Sequence, residues 1–278
     1  MLSYRHAFHA GNHADVLKHL VEVLILQYLV QKKDKPLRYI DTHAGPGIYA
    51  LQRSFASKNR EFDSGIARLW GRSDLPPPLE HYVNMVRSFN PSSELLHYPG
   101  SPAIAASILG TAHRLQLFEL HPDDASGLDD WVGRDRRIKV QQADGFSALK
   151  AILPPPERRA LVLIDPPYEV KTDYDTAISA LEVGCKKFAT GVYALWYPLL
   201  DRDDVSAFVE RLKMMPVKSL LVEFPVQPLT GEGMRGSGMF IVNPPWILQQ
   251  QLENCLPYLH AALAEPGAPL WSMRSHGE

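Results

Sequence analysis

The chain has 278 residues, a formal charge of −2, 45% hydrophobic and 22% charged residues. That composition supplies enough apolar surface for a packed core and excludes disorder as the main state. No uninterrupted apolar run approaches the ~18 residues of a membrane helix, and the near-neutral charge excludes binding nucleic acid through a global positive field.

The first residues do not follow the basic, apolar, small-residue order of a secretion leader. Cys185 and Cys255 stand in no metal or redox spacing; a reducing cytoplasm is the expected compartment. A histidine-rich segment, residues 1–16, opens the chain, and an amphipathic helix follows with apolar positions at Val16, Leu17, Leu20, Val21, Leu24 and Ile25. It should end at the Lys32–Pro36 cluster. Leu37–Asp41 reads as a strand running into the small-residue turn Thr42-His43-Ala44-Gly45-Pro46-Gly47. Residues 51–98 are more polar, with helical stretches at Gly65–Trp70 and Leu79–Ser88, and read as an inserted helical subdomain.

From about Pro102 strands and helices alternate regularly. Strands are expected at Leu115–Glu119, Ile138–Gln142, Ala160–Ile164, Val192–Trp196, Ser219–Phe224 and Gly238–Val242, with helices between most of them and a last helix over Ile247–Ala264. This is the pattern of a doubly wound, mainly parallel α/β sheet. The last two strands are joined by the short, Gly-rich Thr230–Ser237 loop, so they should pair antiparallel. The expected organisation is residues 1–50 as an N-terminal lid, first helix and first strand, 51–98 as the insertion, 99–265 as the rest of the core, and 266–278 as a peripheral tail.

Open α/β sheets bind ligands beyond the carboxyl ends of their strands. Four successive strands of this chain end in carboxylates: Asp41, Glu119, Asp144 and Asp165. The turn after Asp41 lacks the G-x-G-x-x-G fingerprint, and Pro46 removes an amide that a phosphate would use. A cofactor without phosphates fits, and S-adenosylmethionine (SAM) is one; a plain strand-to-helix turn is the alternative. Glu119 is placed for ribose hydroxyls and Asp144 for an adenine amine.

Asp165-Pro166-Pro167-Tyr168 is the sharpest signal. Two prolines hold an extended backbone and donate no N–H. The Asp165 carboxylate and the Pro166 carbonyl can then hold both hydrogens of an exocyclic amine, while Tyr168 offers a stacking face. Two acceptors aim the amine's lone pair at a methyl sulfonium, and near-attack positioning does the rest. Asn243-Pro244-Pro245-Trp246 has the same pattern, but it follows a strand expected to run the other way, so it should lie on the opposite rim and enter a helix.

His6, His9, His13 and His19 could suggest a metal, but their spacing matches no zinc pattern and no cysteine assists; no metal is expected. The segment reads instead as a lid over the ligand edge, whose histidines, Asn12 and Lys18 would contact the methionine part of the cofactor and the substrate, or as a solvated arm. Candidate phosphate contacts are Arg5, Lys18, Arg53, Lys58, Arg60, the Arg134–Arg137 cluster and Arg158–Arg159.

Together, residues 4–19, Asp41–Gly47, Tyr98–Pro102 and Leu163–Glu169 resemble the bacterial adenine-N6 methyltransferases of large-subunit ribosomal RNA, the RlmJ type. The resemblance runs from residue 1 to about 265. It implies a class I SAM-dependent methyltransferase core (Rossmann-like) with a small helical insertion. It also implies methyl transfer from SAM, leaving S-adenosylhomocysteine, to N6 of an adenine in 23S rRNA. By the same resemblance His19, His43, Ser101, Glu119, Asp144 and Gly145 would bind the cofactor. Asp165 would be catalytic and also touch the cofactor, and Tyr4 would contact the RNA. Pro166, Tyr168 and Lys18 complete the expected substrate site. The expected partner is 23S rRNA free of ribosomal proteins, met by a monomer without a membrane. The competing expectations are a DNA adenine methyltransferase, for which the ~45-residue insertion is small, a protein-glutamine methyltransferase, and an RNA-binding module without catalysis.

Overall fold

The computed structural model describes residues 9–31, 35–51 and 60–277. Ten strands and nine α-helices are assigned among them. The central sheet has eight strands in the order β5-β4-β1-β6-β7-β9-β8-β10. These are β1 Arg38–Asp41, β4 Arg114–Glu119, β5 Ile138–Gln142, β6 Ala160–Ile164, β7 Val192–Leu199, β8 Ser219–Pro225, β9 Gly236–Val242 and β10 Ser272–His276. β5, β4, β1, β6 and β7 pair parallel with one another. β9 pairs antiparallel with both β7 and β8. The chain moves outward from β1 through β4 and β5, then returns to β6 on the other side of β1, which places the topological switch point at β1.

β6, Ala-Leu-Val-Leu-Ile, is buried along its whole length, as a central parallel strand covered on both faces must be. Its side chains alternate between two cores. Leu161 and Leu163 join the core under α1 His13–Val30, α3 Pro77–Ser88, α4 Ser101–Ile108 and α9 Leu248–Leu263. Val162 and Ile164 join the core under α6 Gly145–Ile152, α7 Thr172–Lys187 and α8 Asp203–Lys213. α2 is the short Ala67–Trp70 turn and α5 spans Pro122–Val132.

Three features differ from the reading of the sequence. α1 is not a half-exposed amphipathic helix: every residue from Ala14 to Leu26 is buried. Its inner face lies on β6, β7 and β9, and its outer face is covered by α3, α4 and α9. The insertion is therefore not a separate body, since Phe62, Ile66, Leu69, Leu79, Tyr82 and Val86 share one core with Leu17, Leu20 and Leu24. Its two ends are joined by an antiparallel pair too short to detect as alternation, β2 Ile48–Ala50 with β3 His97–Pro99. Lastly, the tail expected to be peripheral adds β10 to the sheet edge against β8.

Candidate active site

The carboxyl ends of β5, β4, β1 and β6 bring Asp144, Glu119, Asp41 and Asp165 side by side, because those four strands are adjacent in the sheet. Above them opens a cavity of about 470 Å³, within the range of small-molecule sites. Its wall holds Glu119, Asp124, Asp144, Asp165, Glu169 and Asp173, against one ammonium, Lys18. Such a wall repels phosphates and favours a cationic ligand.

The turn after β1 needs its glycines. Gly45 and Gly47 have φ of +62° and +85°, and a Cβ on Gly47 would meet the Trp131 ring at 2.8 Å. A Cβ on Gly145 would fall 2.6 Å from Thr42 Cα, so α6 can begin this close to β1 only with glycine there. Asp144 caps α6, accepting from Phe146 N at 3.0 Å and Ser147 Oγ at 2.6 Å. Glu119 braces the turn: Oε2 accepts from Gly45 N at 2.8 Å and Oε1 from His121 N at 2.8 Å. Burial nevertheless raises the Glu119 carboxyl above its ordinary value, against those two amides. A carboxylate has about four lone-pair sites, so both groups keep acceptor capacity for ligand hydroxyls or amines.

Asp41 lies fully buried beneath the cavity. Oδ2 accepts from Ser101 Oγ at 2.7 Å and Tyr39 Oη at 2.8 Å, and Oδ1 from His43 N at 3.2 Å. Burial pushes its carboxyl up to about 6, while these hydrogen bonds pull the other way. His43 sits edge-on to Phe146 at 4.8 Å, and burial lowers it to about 4, so its ring is neutral. His19 Nδ1 lies 2.7 Å from Tyr98 Oη, with the rings stacked at 5.5 Å. All seven residues expected around a cofactor (His19, His43, Ser101, Glu119, Asp144, Gly145 and Asp165) line this one cavity.

A second, smaller cavity of about 230 Å³ shares Lys18, Asp165 and Pro167 with the first. Its other walls are largely apolar: Tyr168, Trp196, Pro198, Leu200 and Met234, with His9, Asn12 and Asp15 beside them. Tyr168 has φ +52°, uncommon for a bulky residue. The hydrogen bond from its hydroxyl to Trp196 O at 2.8 Å and ring contacts with Tyr174 (4.5 Å) and Phe208 (6.2 Å) hold it there.

Between the cavities Lys18 bridges two carboxylates. Nζ lies 2.8 Å from Asp15 Oδ1 and pairs with Asp165 Oδ2. Burial alone would lower the ammonium's pKa; Asp15 and Asp165 outweigh it and hold the group above its ordinary value. Asp15 also accepts from Gly11 N at 2.8 Å through Oδ2. The trio carries a net charge of −1, which one further cation would neutralise.

Tyr4, like Arg5, His6, Arg53 and Lys58, lies outside the described residues. The other basic clusters do not face the cavities. Arg137 grips Asp135 and the Ala106 and Leu109 carbonyls, and Arg159 donates to Lys35 O and Leu29 O at 2.7 Å. Both precede parallel strands and so stand at the opposite rim. Asn243 stands there too, donating to Ala189 O and Gly191 O at 2.8 and 2.7 Å, beside a Trp246 that is 78% exposed. The sequence reading missed Asp15, Trp196 and Met234, whereas Asn12, expected among the lid's contacts, does line the smaller cavity. Only Asp15 carried a signal, the i, i+3 spacing to Lys18 on a helix; Trp196 and Met234 join the site through tertiary contacts alone.

Strand order, glycine turn, acid-lined cavity and Asp-Pro-Pro-Tyr corner together define a class I, Rossmann-like methyltransferase. Residues 34–274 match the family model described as "Ribosomal RNA large subunit methyltransferase D, RlmJ". The chain is 51% identical over 269 residues to "Ribosomal RNA large subunit methyltransferase J" of Escherichia coli (strain K12), covering 96% of both chains. It is 46% identical over 276 residues to the protein of the same name in Haemophilus influenzae, covering 98% of both. A crystal structure of a Legionella pneumophila protein superposes with a TM-score of 0.89 at 37% identity, covering 96% of this chain and 98% of that one. The chain belongs to the RlmJ family of methyltransferases. Among the described residues no helix is long and apolar enough to cross a membrane.

Proposed function

We propose that this protein transfers the methyl group of SAM to the exocyclic N6 of an adenine in 23S rRNA. The observation that carries the reading is the junction of the two cavities at Asp165: the larger has the acid-rich walls a sulfonium cofactor wants, the smaller has the apolar walls a base wants. Both relatives quoted above are named as large-subunit rRNA methyltransferases, which favours rRNA over DNA or a protein amide.

SAM supplies an activated methyl on a positive sulfur. Ser101, His19 and His43 would hold its amino-acid end and body, Glu119 its ribose and Asp144 its adenine, with Gly145 giving the room. A target adenine leaves its stack, at a cost of a few kcal/mol, and enters the smaller cavity beside Tyr168. Asp165 and the Pro166 carbonyl take its two amine hydrogens, with Lys18 fixing one Asp165 oxygen so that the other faces the amine. Asp165, as an acceptor on the amine, would take the proton released when the methyl group is transferred and S-adenosylhomocysteine is left. Tyr4 would contact the RNA. The enzyme would act as a cytoplasmic monomer on rRNA free of ribosomal proteins.

The test is transfer of labelled methyl from SAM to deproteinised rRNA, assembled subunits and duplex DNA, with the product nucleoside identified after digestion. N6-methyladenosine in rRNA, abolished by Asp165→Ala while SAM still binds, is the expected result. Label in DNA, or retained transfer in Asp165→Ala, would overturn it.

A further inference from the structure

The insertion reaches the smaller cavity through one side chain. Glu61 stands in a single 3-10 turn, Glu61–Ser64. Its Oε2 lies 2.8 Å from His9 Nδ1 and accepts from Asn12 Nδ2 at 3.0 Å. Both partners line the smaller cavity. The backbones there are pressed together: Ile66 N donates to Gly11 O at 2.8 Å, and a Cβ on Gly65 would fall 2.7 Å from Asn12 Cα.

The contact continues inward. Asn12 Oδ1 caps α1, accepting from Ala14 N at 2.9 Å and Asp15 N at 3.1 Å. Asp15 holds Lys18, and Lys18 holds Asp165. An unbroken line of polar contacts therefore joins the insertion to the Asp165 carboxylate. Apolar packing already fastens the insertion to α1, through Phe62 and Ile66 in the shared core. A half-buried carboxylate holding two cavity-wall side chains through one oxygen is more than fastening requires.

We propose that Glu61 is a positioning residue for methyl transfer, orienting His9 and Asn12 as the wall against which the target base lies. This rests on the reading of the smaller cavity as the base site. Without the carboxylate His9 regains rotamer freedom and Asn12 Nδ2 loses its acceptor, and the cavity loses its shape without losing its fold. Misplacement on the order of 1 Å in such a site costs about 100-fold in rate.

Glu61→Ala, Glu61→Gln and Met234→Ala are compared with the wild-type chain, using SAM and a 23S rRNA transcript. Four quantities are read: SAM affinity by calorimetry, kcat and KM for the transcript per SAM-binding molecule, melting temperature, and the NMR titration of His9. Glu61→Ala is expected to leave SAM affinity within about twofold and to lower kcat/KM for RNA by about 10–100-fold. Glu61→Gln, whose amide oxygen still accepts from one partner, should fall between. The charges around His9 are Glu61 from the insertion and Asp15 from α1, with His13 facing Glu61 and Lys18 and Asp165 in the same cavity. Glu61 holds His9 above its ordinary value, so its titration should move to lower pH in both Glu61 variants.

A moved titration with unchanged kcat/KM would overturn the proposal, leaving the pair merely structural. A weakened SAM affinity equal to the loss in rate would overturn it too. Met234→Ala separates the two levels. If it lowers transfer and Glu61→Ala does not, only the role of Glu61 fails. If it leaves transfer intact, the base does not occupy this cavity and both readings fail.

Discussion

Replacing Lys18 by Met removes the only ammonium from between two carboxylates. The side chains of Lys18, Asp15 and Asp165 are 5%, 1% and 14% exposed, so water cannot take over the role of the cation. Breaking a buried ion pair from one side costs about 3–5 kcal/mol. At about 2.1 cal/mol/K per residue for the unfolding entropy, that lowers Tm by roughly 5–9 °C. The loss has a pH signature. In the wild-type chain the Lys18 pKa is raised, so its stabilisation is fully present below the unfolded value of about 10.4 and is lost only as pH rises through the folded one. This group therefore makes no slope between pH 5 and 8. In Lys18→Met two buried carboxylates are left without their cation, and taking up one proton relieves that uncompensated charge. The folded variant then binds the extra proton, and its deficit shrinks as pH falls through that range. Urea unfolding at pH 5, 6, 7 and 8, followed by circular dichroism, measures it. A variant within about 1 kcal/mol of wild type at pH 8, with no narrowing at pH 5, would refute the bridge.

Gly145→Ala puts a methyl group against the Thr42 backbone and should cost about 1–3 kcal/mol of stability and weaken SAM binding, read by calorimetry. Asp41, raised to about 6 by burial, makes the folded chain bind the extra proton; its contribution is greatest below the unfolded ~3.9 and is lost as pH rises towards 6, about 2–3 kcal/mol in all. Urea midpoints of Asp41→Asn and wild type between pH 4 and 7 should therefore diverge in slope over that window. Tyr168→Phe deletes the bond to the Trp196 carbonyl and should cost about 1 kcal/mol, with transfer kept within several-fold because the ring remains. Trp246→Ala, on the opposite rim, should change neither stability beyond about 0.5 kcal/mol nor transfer; a rate loss there would mean that the second Pro-Pro-aromatic motif had been misread.

Period and order carried the fold. The apolar run at β6 and the alternation from β4 onward located the parallel strands, and chain order alone separated Asp165 from Asn243. The elements that escaped are those whose reason lies elsewhere in the chain. β2 and β3 are three residues each and stand 46 residues apart, so no local pattern marks them. β10, Ser-Met-Arg-Ser-His, has no apolar alternation because an edge strand is only half covered. α1 looked amphipathic because Lys18, His19 and Glu22 are polar, yet all three are buried; Lys18 pairs with Asp165 just beyond β6 and His19 with Tyr98 of β3. The site divided the same way. Carboxylates at strand ends follow from topology, whereas Trp196 and Met234 reach the smaller cavity only once β7 and the β8–β9 loop are placed.

The charge of the site also bears on how RNA could enter it. A wall of six carboxylates that admits a sulfonium will reject a phosphate, and across the ~8 Å over which salt screens such fields the backbone of a bound strand still feels it. A nucleotide cannot lie along this cavity as it does in a basic groove. On the proposed reading the base enters alone, through the apolar walls of Tyr168, Trp196, Pro198 and Met234, while its phosphates stay at the rim. That geometry selects bases that leave their stack cheaply, in loops and unpaired regions. It also separates affinity from chemistry: raising salt should weaken RNA binding through contacts at the rim, while kcat at saturating RNA stays unchanged. A kcat that fell with salt in parallel with affinity would mean that phosphates reach the acid-lined cavity after all.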